Sequence, residues 1–189
     1  MRGIAEVELD VPIRTRRLVL RTLTADDATD RYLGWMRDPE TTHYLEARLV
    51  EHSLQSLRDY VEACNASAAD LLLGICTSSG SHIGNIRVGP INRYHQHAPV
   101  GLLIGEHDQR GRGHATEAIA AATGHAFEAL ALEKLYAGCY AANVGSARAF
   151  LKAGWVEEGR SKAHWLSDGR REDNISLGIT RSDWSALSR

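Results

Sequence analysis

The first regular hydrophobic pattern of the chain lies in residues 16–23, where Leu18 and Leu20 are two positions apart and arginines flank the apolar run. A period of two places alternate side chains on one face of an extended chain, so this segment is predicted to be a strand with one buried face. Residues 1–15 show no steady period. They are expected to form an irregular N-terminal segment.

Helices are predicted between this strand and the middle of the chain. Thr24 is a favoured N-cap residue and predicts a helix over residues 25–36. The pair Asp38-Pro39 ends that helix and can open a second, short one, because proline is tolerated in the first helical turn. Ser53 is predicted to cap a further helix that carries one apolar stripe.

Two antiparallel strands are predicted next, over residues 71–77 and 82–88, joined by a turn of serines and glycine. A loop rich in polar and aromatic side chains, residues 91–99, then leads to an apolar strand over residues 100–104. This loop is expected to border a binding site.

The second half of the chain predicts helix, strand, helix and hairpin. Apolar residues recur at steps of three and four over residues 115–130, which is the period of an amphipathic helix. A strand over residues 135–140 and a short helix over residues 145–153 follow. The dipeptide Asp168-Gly169 is a strong turn signal within a final hairpin at residues 155–179.

This order of elements predicts an α/β protein of the mixed α+β kind, in which a central, mostly antiparallel sheet carries helices on both faces. With 189 residues and 20.8 kDa, the chain suits one domain that buries about 70% of its unfolded-chain surface. No internal repeat, low-complexity segment or linker divides it. We therefore expect a single domain over residues 1–189.

Composition argues against several classes of protein. A formal net charge of −2 and scattered basic residues do not favour nucleic acid as a partner. Three cysteines without metal-type spacing predict neither a disulfide framework nor a zinc site, and no metal is expected. The N-terminus lacks a signal-peptide core, and no apolar run approaches the ~20 residues of a membrane span. A cytoplasmic protein without a membrane partner is therefore expected.

One segment predicts a binding site for a phosphate group. An apolar strand is followed by residues 109–115, Gln-Arg-Gly-Arg-Gly-His-Ala, and then by the amphipathic helix. The first N–H groups of a helix have no partner within the helix and carry the positive end of its dipole, so this glycine turn (residues 109–115) can hold a pyrophosphate. Neither the nucleoside-triphosphate pattern Gly-x4-Gly-Lys-Ser/Thr nor the dinucleotide pattern Gly-x-Gly-x-x-Gly is present.

The remaining pattern, Arg110-x-x-Gly113-x-Ala115, resembles the Arg/Gln-x-x-Gly-x-Gly/Ala signature of the GNAT superfamily, the Gcn5-related N-acetyltransferases. Asn143-x-x-Ser146 after the next strand and Gly154-Trp155 after the next helix follow in the order that this family shows. The resemblance spans residues 16–184 and is similar to the ribosomal-protein acetyltransferase-like branch. It implies the GNAT fold, whose sheet is splayed in the middle, and acetyl transfer with acetyl-coenzyme A as co-substrate.

The resemblance also implies which residues hold this co-substrate. In the family, the strand before the glycine turn offers a backbone N–H to the thioester carbonyl, here from Leu103 or its neighbour. Asn143 matches a residue that contacts the pantetheine arm, and it is equally suited to cap a helix. The implied cofactor-binding residues are Leu103, Ile104, Gln109, Arg110, Gly111, Arg112, Gly113, His114, Ala115, Asn143 and Ser146.

Two groups that family members commonly use for proton transfer are missing from this chain. Many members carry a Tyr seven residues after the Asn, where this chain has Phe150, and residues 100–104 contain no Glu. A proton for the leaving thiolate could then come from Tyr140, from Tyr94 or from water. Tyr140 is the candidate acid that we single out.

Histidines of the loop at residues 91–99 are candidates for the missing base. An imidazole has an unperturbed pKa of about 6.5, which suits the uptake of a proton from an ammonium group. His97 is the candidate for catalysis and His95 the candidate for substrate binding. Both are also compatible with plain solvated residues of a polar loop.

The acceptor is expected to be a small-molecule primary amine. Trp35, which is equally suited to core packing, and Asn85 are candidate substrate-binding residues. The segments around them look like acetyltransferases of surface-polysaccharide and flagellin-sugar synthesis, so an amino sugar or sugar nucleotide is the favoured acceptor. A protein N-terminus, as in ribosomal-protein acetyltransferases, and a silent acetyl-coenzyme A-binding regulatory module are the alternatives. Dimers occur in this family, so a homodimer is compatible with the resemblance.

Overall fold

The computed structural model describes Leu9 and residues 11–187. The strands of this part are β1 (Ile13–Arg14), β2 (Leu18–Thr22), β3 (Leu71–Thr77), β4 (His82–Val88), β5 (His97–Ile104), β6 (Lys134–Tyr140), β7 (Val156–Ser167) and β8 (Arg170–Thr180). The helices are α1 (Asp30–Arg37), α2 (Pro39–Thr42), α3 (Leu54–Ala66), α4 (His114–Glu128), α5 (Val144–Lys152) and α6 (Arg181–Leu187). Short 3₁₀ turns lie at Ala25–Asp27, Glu46–Leu49 and His107–Gln109.

The strands form one sheet in the order β1-β2-β3-β4-β5-β6-β8-β7. Strands β5 and β6 are parallel, and the other neighbouring pairs are antiparallel. The mixed, mostly antiparallel sheet predicted from the sequence is therefore confirmed. In the described part of the chain, no helix combines the length and the apolar composition that crossing a membrane would require.

Alternate residues of β3 show how the helices come to lie on both faces of the sheet. Leu71 and Leu73 belong to a hydrophobic cluster that includes Phe127 of α4, whereas Leu72 between them joins a second cluster with Trp35 of α1 and residues of α3. Side chains of a strand alternate between the two faces, so a strand buried on both faces is apolar throughout. The predicted two-sided packing is observed.

The N-terminal segment is more regular than its sequence indicates. Ile13–Arg14 pairs with β2, where Ile13 lies opposite Leu20. The prediction of an irregular segment over residues 1–15 is therefore wrong at its end, because a strand of two residues is too short to show a period. Residues 1–8 and residue 10 of that segment lie outside the described residues.

One predicted helix is split. Residues 25–36 form a 3₁₀ turn and then the start of α1, and each has its own cap. Asp27 accepts a hydrogen bond from the Thr24 N–H at 2.8 Å and from Arg21 Nη1 at 2.8 Å, which ends the first turn. Thr29 caps α1. A single helix capped by Thr24 is therefore wrong, because a side-chain network with β2 favours a break that helix propensity does not show.

Strand β5 begins earlier than predicted, at His97 rather than at residue 100. Asn92 and His97 exchange backbone hydrogen bonds of 2.8 and 3.2 Å, and His97 also lies opposite Lys134 of β6. Backbone pairing on both sides extends the strand into polar sequence, where no hydrophobic pattern marks it. The loop expected over residues 91–99 is shorter as a result.

The two central strands separate along their length. β5 and β6 pair only where residues 97–99 lie opposite residues 134–136. Beyond that point, β5 continues with β4 and β6 continues with β8. The splayed sheet that the family resemblance implies is thus present, and its gap lies between residues 100–104 and 137–140.

Candidate active site

The glycine turn enters α4 through a left-handed backbone conformation. Gly113 is the N-cap residue of α4 and has a φ of 81°. This region strongly favours glycine, because a Cβ would collide with the neighbouring backbone there. The N–H groups of residues 114–116 belong to the first helical turn, which offers them no carbonyl partner inside the helix. The turn therefore presents donors to an anion at the positive end of the helix dipole.

Arg17 and Glu117 hold the glycine turn in place. Arg17 Nε donates to Glu117 Oε2 at 2.7 Å, and Arg17 Nη1 donates to the Arg112 carbonyl at 2.8 Å. Glu117 Oε1 accepts further hydrogen bonds from the Arg17 N–H at 2.8 Å and from Thr15 Oγ1 at 2.6 Å. Burial raises the pKa of the Glu117 carboxyl, but the hydrogen bonds from Thr15 and Arg17 outweigh it and leave the pKa below its usual range. The sequence analysis did not identify this pair.

The guanidinium of Arg110 bonds to the protein itself. Its Nε donates to the Ile104 carbonyl at 3.1 Å, and its Nη1 donates to Glu40 Oε1 at 3.1 Å. Its Nη2 donates to Thr41 Oγ1. Arg110 therefore ties the end of β5 and the glycine turn to α2, and its backbone rather than its charge is left for a ligand.

A first cavity of about 540 Å³ opens in front of the glycine turn. Of the residues predicted to bind the cofactor, all but Arg112 line it: Leu103, Ile104, Gln109, Arg110, Gly111, Gly113, His114, Ala115, Asn143 and Ser146. The side chain of Arg112 is exposed and lies outside the cavity, while its carbonyl is held by Arg17. The structure thus brings together a set of residues that sequence spacing had grouped.

Asn143 caps a helix and also lies where a cofactor contact is possible. Its Oδ1 accepts from the Ser146 N–H at 3.1 Å and so caps α5, and both residues line the first cavity. His114, the first residue of α4, is buried, and its Nδ1 makes no hydrogen bond to the described residues. Burial lowers the pKa of the His114 imidazole.

Sequence reasoning missed two cations at the first cavity. Arg148 and Lys152 both line it from α5. They are one helical turn apart, so their side chains share a face of the helix. Neither forms a salt bridge within the described part of the chain. Their i, i+4 spacing just after Asn143 was a signal that could have identified them.

A second cavity of about 880 Å³ lies on the other side of the gap. Its lining is mostly apolar and includes the three tyrosines Tyr32, Tyr60 and Tyr136. The carboxylates in it are Glu46 and Glu51, and its cation Arg87 is already paired with Asp70 at 2.6 Å.

The predicted substrate residue Asn85 also lines the second cavity. Its side chain is 94% buried, since 6% of the residue is exposed, and its Nδ2 makes no hydrogen bond in the described structure. The Oδ1 of the same amide is 2.7 Å from His82 Nε2, which fixes its orientation. An amide nitrogen that is buried without a partner carries a desolvation cost, and a ligand acceptor atom could remove it.

The two cavities share Leu45, Leu102 and Leu103 as lining residues. They therefore meet at the gap in the sheet. Gly105 donates its N–H to the Ile83 carbonyl at 2.9 Å, and residues two apart on a strand face the same neighbour, so the N–H of Leu103 is directed to β4. The N–H groups of Leu102 and Ile104 then face the gap. Of the candidates for the expected backbone donor, only the neighbours of Leu103 direct their N–H groups to the gap.

Trp35 does not line either cavity. It is buried in the cluster of α1 and α3, packs against Gly105, and donates its Nε1 proton to Glu106 Oε1 at 3.2 Å. Of the two roles considered for Trp35, the structure therefore favours core packing, because its ring is enclosed by its cluster and by Gly105.

His95 and His97 line neither cavity. His95 is exposed, and its ring stacks on that of His97 with centroids 5.7 Å apart. His97 reaches the second cavity only through Tyr136, whose ring centroid is 5.5 Å away. The structure does not bring these imidazoles to the place where the cavities meet.

Tyr140 is held by two charged residues of the 3₁₀ turn at Glu46–Leu49. Its hydroxyl donates to Glu46 Oε1 at 2.7 Å and accepts from Arg48 Nη2 at 2.8 Å. Burial and the hydrogen bond to Glu46 raise the pKa of Tyr140, and Arg48 opposes them. Its ring stacks on Trp165 with centroids 4.9 Å apart. Tyr140 lines neither cavity directly, but its partner Glu46 lines the second.

Phe150 stands at the position where many family members carry a tyrosine. It is buried against Trp155, with ring centroids 4.7 Å apart.

The described residues contain no group of three or more His, Cys, Asp or Glu side chains that could hold a metal ion.

Comparison with protein families matches residues 17–156 to the acetyltransferase (GNAT) domain Acetyltransf_3. Two Bacillus subtilis proteins are similar in sequence. "Uncharacterized N-acetyltransferase YoaA" is 27% identical over 173 residues, covering 89% of this chain and 96% of that protein. "Probable N-acetyltransferase YjcK" is 33% identical over 136 residues, covering 71% of this chain and 74% of that protein.

Solved structures share the fold. The spermidine N-acetyltransferase of Vibrio cholerae in complex with CoA and spermine superposes with a TM-score of 0.80 at 22% identity, covering 90% of this chain and 99% of that chain. An acetyltransferase of the GNAT family from Bacillus anthracis gives 0.78 at 18% identity, with 91% and 99% covered.

Proposed function

Because this chain belongs to the GNAT acetyltransferase family, we propose that it transfers the acetyl group of acetyl-coenzyme A directly to the primary amine of a small molecule. The single observation that carries the proposal is the meeting of two cavities at the gap between β5 and β6, where Leu102 and Leu103 line both. One cavity suits the thioester donor and the other the amine.

The first cavity fits acetyl-coenzyme A by its own chemistry. The glycine turn offers helix N–H groups to a pyrophosphate, and Arg148 and Lys152 add positive charge that forms no salt bridge with the described residues. His114 contributes a buried Nδ1 that makes no hydrogen bond to the described residues. The gap-facing backbone of β5 can bond the amide groups of the pantetheine arm. Bound there, acetyl-coenzyme A supplies an activated acyl group.

The N–H of Leu102 or Ile104 is proposed to polarise the thioester carbonyl. A donor aimed at the oxygen that gains charge in the transition state lowers the barrier without needing any particular side chain. This explains why an apolar strand can be functional. The acceptor amine would approach the carbonyl carbon from the second cavity, form the C–N bond, and expel coenzyme A thiolate.

Direct transfer is supported by the place of the cysteines. Cys139 lies on β6 beside the gap, but its side chain is buried in the hydrophobic core and burial raises the pKa of its thiol. A buried neutral thiol is a poor nucleophile. For the proton that the thiolate takes up, water is the proposed source, because the Tyr140 hydroxyl donates to Glu46 instead.

The lining of the second cavity bears on the acceptor. The diphosphate of a sugar nucleotide would need cationic partners, and Arg87 is engaged by Asp70. A free amino sugar, or another amine with an apolar part, meets tyrosine rings, aliphatic side chains and two carboxylates instead. We therefore propose that the acceptor carries no charged group other than its amine. Free amino sugars are the first compound class to test, and a protein N-terminus is the alternative.

The test is thiol release from acetyl-coenzyme A across a panel of free amino sugars, amino sugar nucleotides, hydrophobic amines and N-terminal peptides. Saturable turnover with a small amine, accompanied by the mass of an N-acetylated product, supports the proposal. Turnover with peptides alone would establish the alternative acceptor. Tight binding of acetyl-coenzyme A without turnover on any compound would identify a silent binding module.

A further inference from the structure

We propose that Glu46 is the general base of the transfer reaction and that Tyr140 and Arg48 position it. This inference rests on the proposed function, because it assigns a role in that reaction. The family's usual carboxylate on β5 is absent from this chain. Another carboxylate reaches the cavity from the segment between α2 and α3.

Glu46 is placed where an acceptor amine would bind. It lines the second cavity, and the preceding residue, Leu45, lines both cavities. Its carboxylate therefore lies on the amine side of the place where the cavities meet. Half of its side chain is exposed, so water can bridge any remaining distance to the amine.

The carboxylate of Glu46 is oriented by residues from two separate segments. Its Oε1 accepts from the Tyr140 hydroxyl of β6 at 2.7 Å, and Arg48 Nη1 lies 3.4 Å from the same oxygen. Arg48 is itself fixed, because its Nη2 donates to the Tyr140 hydroxyl at 2.8 Å and to the Leu166 carbonyl at 3.3 Å. The other oxygen, Oε2, has no hydrogen-bond partner among the described residues. One oxygen is held while the second is left for the substrate.

The other candidate bases lack this combination. Glu51 lines the second cavity but forms no salt bridge or side-chain hydrogen bond within the described residues. His52 lines it too, but its Nε2 is bonded to the Ala47 carbonyl at 2.8 Å. His97 lines neither cavity. Among the carboxylates and imidazoles of the second cavity, Glu46 alone is both positioned from another element and open to the amine.

Each proton and electron pair of the proposed acetyl transfer has a source and a destination. The acceptor enters as an ammonium ion and gives a proton to the Glu46 carboxylate, directly or through water. The freed lone pair forms the C–N bond, the C–S bond breaks, and its electron pair leaves with coenzyme A thiolate. A second N–H proton is lost from nitrogen as the amide forms. Solvent protonates the thiolate and regenerates the carboxylate.

The experiment compares Glu46→Gln with the unmodified protein on acceptor amines that differ in pKa but share one carbon skeleton. The amide keeps an oxygen for the Tyr140 hydroxyl and removes the base. We expect kcat/KM to fall by about 100-fold for amines that are protonated at the assay pH, and by about tenfold or less for amines that are already neutral. Affinity for coenzyme A, measured by calorimetry, should stay the same.

Tyr140→Phe tests the positioning role. It should lower kcat by about tenfold, with the same dependence on amine pKa, because the carboxylate remains but loses its strongest partner. Glu62→Gln is the matched control. This glutamate lies on the exposed face of α3, lines neither cavity, and its replacement should leave both kcat and KM as they are.

Three results would overturn the inference while leaving the proposed function intact. They are unchanged kcat/KM in Glu46→Gln, an equal loss for every amine, and a pKa-dependent loss in His97→Ala that Glu46→Gln does not show. Absence of turnover by the unmodified protein on every amine would refute the proposed function and this inference together.

Discussion

Arg17 and Glu117 lie 100 positions apart in the chain, yet Arg17 Nε donates to Glu117 Oε2 at 2.7 Å, directly behind the glycine turn. The same guanidinium donates to the Arg112 carbonyl, so one side chain links the start of β2 to the glycine turn and to the first turn of α4. The conformation of the turn thus depends on a strand far away in sequence. The affinity of the turn for a ligand should therefore depend on Arg17 and Glu117, even where the ligand does not contact them.

Glu117→Gln is expected to weaken both the fold and cofactor binding. Loss of charge-assisted hydrogen bonds from Arg17 and Thr15 should lower the free energy of unfolding by about 1–2 kcal/mol at neutral pH. Affinity for coenzyme A should fall, because the first turn of α4 is less well held. Denaturant unfolding and calorimetry measure the two effects.

The pH dependence of this difference has a definite sign. The folded protein holds the pKa of Glu117 below its usual range, so its contribution is complete above the unfolded pKa and is lost as the pH falls through the folded pKa. The stability gap between the unmodified protein and Glu117→Gln should therefore be largest at neutral pH and close on acidification. A gap that widens below pH 5 would contradict this assignment.

Gly113→Ala is expected to damage the binding of coenzyme A beyond its cost in stability. At a φ of 81°, alanine is strained by about 1–2 kcal/mol, and the new Cβ would lie 3.3 Å from Arg17 Nη2. Calorimetric affinity for coenzyme A should fall by about tenfold or more. Gly80→Ala supplies the control: its φ is 90°, its Cβ meets open space, and it lies in the β3–β4 turn. Equal affinity losses in both variants would rule out a specific role of Gly113.

Arg148→Gln and Lys152→Gln should each reduce coenzyme A affinity by about threefold to tenfold, and more at low ionic strength. Both side chains line the first cavity and bring charge that no described carboxylate neutralises. The reason for the modest size is their exposure to solvent. Arg112→Gln serves as the comparison, because its exposed side chain does not line that cavity. An equal loss there would indicate a general charge effect.

Cys139→Ala should retain activity. The thiol is buried in the core and does not line either cavity, so direct transfer does not require it. We expect kcat to stay within about twofold and the free energy of unfolding to fall by about 1 kcal/mol from lost packing. Cys76→Ala, a buried cysteine of β3, is the matched variant. An acetylated protein found by mass spectrometry after rapid quenching, absent only in Cys139→Ala, would disprove direct transfer.

Much of the fold was predictable because its signals are local. The major strands follow from their hydrophobic patterns. The Asp168-Gly169 turn follows from the left-handed φ values that such a turn requires. The break between the 3₁₀ turn and α1 was not predictable, since it depends on Arg21 of β2 bonding to Asp27. A hydrogen-bond partner on another element leaves no trace in a local period.

The candidate site divides in the same way. Asn143 and the residues of the glycine turn other than Arg112 line one cavity, and the sequence could group them because short spacing and helix capping are local signals. For Trp35 the sequence left a substrate role and core packing open, and His97 was placed in a loop although it begins a strand. The side of the sheet on which a residue lies is set by register, which sequence alone does not give.

The sequence by itself determined the order of the elements, the helix N-terminus that faces the first cavity, and the missing phenol at Phe150, because each depends on residue types within one turn or strand. Only the tertiary structure decided that Leu102 rather than Leu103 presents its N–H to the gap, that Arg110 bonds to α2, and that Glu46 meets Tyr140. Those relationships join residues from separate elements, and their geometry arises from sheet register and packing rather than from any local pattern.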